Sequence, residues 1–317
     1  MARPPAPPGS RVALLAPSPI LTVTLERDRA EPELHLHAGG QGFWVARMLR
    51  SLDAEVVFCA PLGGETGVVL GRLLEQAGLE LQTVESAGAN GAYVHDRGSD
   101  GLVSVGETSS APLSRHEADA LFAAMVSASL DCGVGALTGP RSEELLAPDF
   151  YRRLAGDLIR NGCLVAADLS GRSLAAALSG GVDVLHLSER ELSAHVGRPL
   201  DAGADTAAAL RQVRAQGARQ VVVSRGSRPA LALVDESLFD VVGPVFEPLE
   251  HRGPGDSMFA AMVASLAEGW GIEDALRLGA AAGALNVTRR GLGSGTRGDI
   301  ERLARSVVLR PLDVAGA

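Results

Sequence analysis

The sequence predicts a doubly wound α/β fold, a mostly parallel sheet flanked by helices with a small β-sheet lid. Three observations predict it. From residue 114 onward, helical and strand-like runs alternate. The strand-like runs are short and almost wholly apolar, as in "VGALTG", "LVAADLSG" and "VDVLHLS", which suits a parallel sheet buried on both faces. Residues 79–110 instead carry short alternating runs, "LELQTVES", "AYVHD" and "GLVSVGE", broken by Gly, Ser and Asp. That pattern predicts antiparallel hairpins.

Taken in order, residues 1–10 are a Pro-rich leader without an apolar core, so they predict a disordered segment rather than a secretory signal. "VALLAP" (12–17) reads as a buried strand and "ILTVTLERD" (20–28) as a half-exposed one. "HAGGQGFWVARMLRSL" (37–52) is a Gly-rich turn feeding an amphipathic helix, and "EVVFCAPLG" is a strand. "TGVVLGRLLEQAG" is a helix closed by Gly78. The lid is expected from about 20–36 and 79–110, within one domain over 11–317. Four helix and strand pairs follow. Then come β runs "ALALVDE" and "FDVVGPVFEP", and three helices: "DSMFAAMVASLAEGW", "IEDALRLGAAAGALNVTRRGL" and "DIERLARSV".

Composition excludes several functions. The net charge is −9 with no basic patch, which argues against nucleic acid. No apolar run reaches membrane-span length. All 29 basic residues are Arg and none is Lys, which excludes Schiff-base chemistry and a Walker P-loop. Cys59, Cys132 and Cys163 fit no zinc spacing; buried free thiols and a cytoplasmic location are expected.

Two Gly-rich turns run into helices. In "HRGPGDSMFAAM" (251–262), Gly253 and Gly255 permit close backbone approach, and the unpaired N–H groups of a helix start suit phosphate. Asp256 would then sit beside bound phosphate and accept a proton from a hydroxyl. The plain alternative makes Asp256 a helix N-cap, and Pro254 lends no N–H. "HAGGQGFWVARML" offers either a small polar ligand site or a tight loop. "HLSERELSAHVG" places Ser188 and Glu191 as a capping box; its alternative puts Glu191 near a metal–phosphate site. His186 and His195 read as structural. "DLSG" (168–171), "VVVSRGS" (221–227) and "ALNVTRRGLGSG" (284–295) are further loops at element ends.

Together these motifs resemble the ribokinase-like, or PfkB, carbohydrate kinase family, most nearly its 1-phosphofructokinase and tagatose-6-phosphate kinase branch. "GGQGFWVARMLRSL" is similar to that family's amino-terminal signature and "GPGDSMFAAM" to its carboxyl-terminal one, over about residues 11–300. The resemblance implies a ribokinase-like fold and an ATP- and Mg2+-dependent kinase acting on a small-molecule sugar or sugar phosphate. It also implies a homodimer formed through the lid. Asp256 would be the catalytic base, with Gly253 and Gly255 in an anion hole, and Glu191 would organise magnesium through water. Ser188, Ser224, Arg225, Gly226 and Asn286 would lie on the nucleotide side. Thr22, Gly39, Gly40, Gln41 and Gly42 would lie on the sugar side.

Departures from the family pattern keep two alternatives open: a weak or inactive sugar-binding regulator, and a nucleoside kinase. Ser18 and Thr22 stand where the family has Asn and Asp, and Gln41 replaces a Lys. An expected Arg falls at Ala89 or Asn90, and a Lys-Pro-Asn reads His186, Leu187 and Ser188. Two cationic contacts to a substrate phosphate are thus missing, each worth roughly 1.5–3 kcal/mol. Phosphosugars are therefore not expected to be strongly preferred, unless Arg27, Arg29 or Arg97 compensates.

Overall fold

The computed structural model describes residues 10–27, 31–98, 101–200, 203–249, 252–289 and 291–312. The leader, apart from Ser10, and Arg29 lie outside the described residues.

The chain opens in strand β1 (Arg11–Leu15) and steps out into β2 (Ile20–Glu26) and β3 (Glu33–Gly39). It returns through α1 (Gln41–Ser51), β4 (Glu55–Gly63), α2 (Gly64–Gln76) and β5 (Glu80–Ser86). A second excursion makes β6 (Ala92–Gly98) and β7 (Gly101–Thr108). Then follow α3 (Arg115–Cys132), β8 (Val134–Thr138), α4 (Pro148–Arg160), β9 (Leu164–Asp168), α5 (Gly171–Gly180) and β10 (Val182–Ser188). Helices α6 (Glu189–Val196) and α7 (Gly203–Ala215) lead to β11 (Ala218–Arg225), β12 (Arg228–Val234) and β13 (Ser237–Val242). The chain finishes with α8 (Pro254–Ala267), α9 (Ile272–Asn286), α10 (Arg297–Ala304) and β14 (Val308–Pro311).

The main sheet has the strand order β14-β13-β12-β11-β10-β9-β8-β1-β4-β5. From β5 to β11 every pairing is parallel, and β12, β13 and β14 add an antiparallel edge. Separate apolar cores cover its two faces, as doubly wound sheets require. Strands β8 and β9 are buried throughout, which explains their unbroken apolar sequences. Helix α8 is buried nearly all round from Ser257 onward because it is wedged between the sheet, α1 and α9.

The small sheet has the order β3-β2-β6-β7. One boundary differs from the sequence expectation. "LELQTVES" does not join the small sheet: β5 pairs parallel with β4 as the edge of the main one. Its mixed exposure is that of an edge strand covered on one side. Strand β14, which the sequence did not suggest, extends the far edge against β13.

Candidate active site

A cavity of about 860 Å³ opens between the small sheet, the head of α1 and the head of α8. The wall formed by the small sheet is polar, with Thr22, Thr24, His37, Tyr93 and His95 on it. Thr22 stands between His37 and Tyr93 in register, so all three side chains share this face.

Asp256 lines the cavity. Helix α8 begins at Pro254, and its N-cap is Gly253, with φ 78° and no side-chain cap bond. Asp256 is therefore the third helical residue and not the cap. The first helical bond runs from Ser257 N–H to the Gly253 carbonyl at 3.0 Å, which leaves the N–H groups of Gly255 and Asp256 without helical acceptors. A side chain at Gly253 would need left-handed backbone and would meet Leu292 at 3.3 Å. At Gly255 it would meet the His186 ring at 3.2 Å. The turn is thus a bare cradle of peptide N–H groups, the kind of surface that accepts phosphate oxygens.

Burial, then the charge of Asp168, push the Asp256 carboxyl up to about 7, with Glu191 adding to the rise. His186 and a hydrogen bond from Gln41 pull the other way. A carboxylate tuned near neutral pH is suited to accept a proton.

The head of α1 is built differently. Gly40 adopts φ 94°, and a Cβ on Gly42 would lie 2.4 Å from that of Ala16. Gly39 leaves room for the Thr22 hydroxyl, 3.2 Å from where its Cβ would stand. The Gln41 carbonyl oxygen accepts from Gly139 N–H at 3.1 Å, and its amide donates to the Asp168 carbonyl at 3.5 Å. These bonds fasten α1 to the ends of β8 and β9.

The expected nucleotide-side residues lie outside the cavity lining, Ser188, Ser224, Arg225 and Gly226 at the carboxyl ends of β10 and β11 and Asn286 at the end of α9. Ser188 and Ser224 are side by side in register, and Ser224 Oγ lies 3.9 Å from the Cβ position of Gly255. Ser188 and Glu191 form a complete capping box on α6, with Glu191 Oε2 accepting from Ser188 N–H at 2.8 Å and from its hydroxyl at 2.6 Å. The Arg225 guanidinium donates to the Asp240 carboxylate at 2.8 Å and the Pro229 carbonyl at 2.6 Å and so braces the antiparallel edge. Gly226, with φ 63°, turns the chain from β11 to β12 in open space. Asn286 is fully buried and bonds Ser257 Oγ, Gly293 N–H and the Arg252 carbonyl. These bonds hold the α8 cradle against the 291–295 loop. Among the described residues, no group of three or more His, Cys, Asp or Glu side chains could hold a metal ion.

Several cavity residues were not singled out in the sequence. Arg47 and Arg252 line it with Arg97. Arg97 pairs with Glu26 at 3.1 Å, and Arg27 pairs with Asp96 away from the lining. Asn90, in place of an expected Arg, is buried and pins the Pro61–Gly63 backbone. A clue to Arg47 was its charge on α1, about one and two-thirds turns past Gln41.

A model of pfkB family carbohydrate kinases matches residues 18–297. The chain belongs to the pfkB family. As a member it is an ATP-dependent carbohydrate kinase, as the two Gly-rich signatures implied. It is 30% identical over 260 residues to the ATP-dependent 6-phosphofructokinase isozyme 2 of Escherichia coli strain K12, covering 80% of this chain and 82% of that one. It is 27% identical over 284 residues to the 1-phosphofructokinase of the same strain, covering 88% and 89%. The crystal structure of phosphofructokinase-2 from Escherichia coli in complex with potassium superposes with a TM-score of 0.80 at 26% identity, over 94% of this chain and 99% of that one. The pfkB kinase is therefore ribokinase-like in fold, with a separate small sheet in which two antiparallel hairpins, β2–β3 and β6–β7, pair parallel through β2 and β6. No helix among the described residues is long and apolar enough to cross a membrane.

Proposed function

We propose that this kinase transfers the γ-phosphoryl group of ATP to a hydroxyl of a ketohexose phosphate bound in the cavity. The observation that carries the reading is Asp256, its carboxyl pushed up to about 7, on the cavity wall beside the two open N–H groups of α8. Asp256 takes the proton of the attacking hydroxyl. The new O–P bond forms as the bond to the diphosphate leaving group breaks, and the electron pair stays on that group. The N–H groups of Gly255 and Asp256 donate to the phosphoryl oxygens, where charge gathers during transfer. Bound with the nucleotide phosphates, a magnesium ion would supply further positive charge against the phosphoryl oxygens. Glu191 is the carboxylate we assign to its water shell, with Ser188 holding Glu191 in place.

The three arginines around the cavity favour a substrate that already bears phosphate. Arg47 and Arg252 take the place of the cationic contacts missing from the sequence pattern. The relatives carrying phosphofructokinase names fit that choice. The small sheet acts as a lid, its polar face toward the sugar. Its other face exposes Leu34, Val103 and Val105, and we assign that face to a homodimer. Three free buried cysteines suit a reducing cytoplasm.

The test is ATP turnover measured with fructose 6-phosphate, fructose 1-phosphate, tagatose 6-phosphate and free fructose. Two charge-assisted contacts should favour a phosphosugar by about two to four decades in kcat/KM. Equal kcat/KM for free fructose would remove the phosphosugar assignment. No turnover with any of them would remove the ketohexose reading.

A further inference from the structure

Beneath the α8 cradle lies a buried group that the transfer step leaves unused. His186, on β10, is 2% exposed. The parallel register sets it beside Asp168, and its Nδ1 lies 3.0 Å from Asp168 Oδ2. Its other ring nitrogen, Nε2, is buried without a hydrogen-bond partner. Such atoms are rare in folded proteins and call for a cause. The ring is covered on one side by Gly255: a Cβ there would stand 3.2 Å from Cε1 and 3.9 Å from Nε2. Glycine at 255 therefore does more than free the backbone, since it leaves the imidazole lying against the first turn of the catalytic helix.

The charges that act most on the ring are negative: Asp168 from β9, Glu191 from α6 and Asp256 from α8. Burial lowers the imidazole pKa, but the charge and hydrogen bond of Asp168, helped by the other two carboxylates, outweigh it, and the net direction is up. In return, His186 draws the Asp256 carboxyl down. The sequence holds no lysine that could supply a cation here.

We propose that His186, clamped by Asp168, is the positioning cation of the transfer site: its imidazolium, packed against the first turn of α8, keeps Asp256 ionised and sets positive charge beneath the phosphoryl group held at the head of that helix. The proposal rests on the kinase reading. No proton leaves His186 during turnover; the hydroxyl proton goes to Asp256. Asp168 acts through the imidazole and touches no reacting atom.

The test combines pH profiles of kcat/KM with calorimetry of magnesium AMP-PNP binding in buffers of different ionisation heat. Wild type should give a bell, its alkaline limb set by the imidazolium. His186→Gln should lose that limb, move the acid limb to higher pH and lower kcat by about tenfold or more. Asp168→Asn keeps the ring and should move the alkaline limb to lower pH. Above the imidazolium pKa, AMP-PNP binding should take up a proton in wild type and none in His186→Gln. A His186→Gln enzyme with both limbs and kcat unchanged would overturn the proposal. Should that variant not fold, an unmoved alkaline limb in Asp168→Asn does the same. Proton uptake without turnover of any sugar would strike the substrate assignment and leave the role of His186 standing.

Discussion

The heads of α1 and α8 look alike as sequence: each is a glycine-rich turn running into an apolar helix, and each borders the same cavity. Their construction differs. At α1 the glycines are steric, with Gly42 pressed on Ala16 and the Gln41 amide spent on protein partners. At α8 the cap is bare, the first N–H groups are open, and the following carboxylate is raised toward neutral pH. A glycine-rich helix start is therefore not in itself an anion site. What separates the two is whether the first-turn polar groups already have partners. By that measure α1 shapes the pocket, and α8 is the head to which we assign the chemistry.

The largest expected effect breaks this comparison most directly. Asp256→Asn should lower kcat by about 10²-fold or more, the loss expected of a missing general base. It should also stabilise the protein near pH 8. A carboxyl whose folded pKa is raised is favoured by folding only while protonated. That stability is present below the unfolded pKa of about 4 and is lost as pH rises through about 7. Asparagine keeps the neutral form at every pH. Chemical denaturation and steady-state kinetics read the two effects separately. A variant that is both fully active and less stable would make Asp256 an ordinary helix-start residue, and the two heads would then be equivalent.

Next in size is Arg47→Ala. Arg47 is exposed on α1 and faces the cavity. Removing it should raise KM for the phosphosugar by about tenfold to a hundredfold, the worth of one charge-assisted bond, with kcat little changed. A matching fall in kcat would give α1 a part in the transfer itself, and no change in KM would put the substrate phosphate elsewhere. A third effect grows with acidity: kcat/KM should fall about tenfold per pH unit below about 7, as the Asp256 carboxylate takes up its proton. An acid limb near 4 would mean that the cavity floor is wetter than its burial implies.

How much of this was legible in the sequence follows the same division. The buried parallel strands announced themselves, because a strand covered on both faces has no room for polar residues, as in "LVAAD". The α8 head was legible as a glycine-rich helix start, and Asp256 as the carboxylate to which we assign the base role. Edges were not: β5 alternates as a hairpin strand would, and only its partner β4 tells the two apart. Side chains joined by register were equally hidden. Asp168 and His186 are 18 residues apart, and nothing local to "DLSG" or "LHLSE" says that β9 and β10 will bring them to 3.0 Å. Asn286 was placed by position alone. Its three bonds to protein groups depend on how α9 meets the 291–295 loop, and no local pattern encodes that meeting.

The smallest expected effect sharpens the comparison by changing one glycine in each head. Gly42→Ala sets a methyl 2.4 Å from the Ala16 methyl and 3.0 Å from its Cα. Backbone of the buried β1 side must give way, so stability should fall by about 1–3 kcal/mol, as overpacking commonly costs. Turnover per folded molecule should change little. Gly255→Ala sets its methyl 3.2 Å from the His186 ring. An imidazole held by one hydrogen bond can yield by a few tenths of an ångström, so the loss of stability should be the smaller of the two. That shift lands on the group beneath the cradle, and the cost should appear in kcat and in the acid limb instead. The two variants should therefore cross over, the α1 change read by thermal melting and the α8 change by kinetics. If both lose only stability, the α8 glycines serve packing just as those of α1 do. If Gly42→Ala also loses kcat in the folded fraction, the α1 head contributes to catalysis through the Gln41 bond to Asp256.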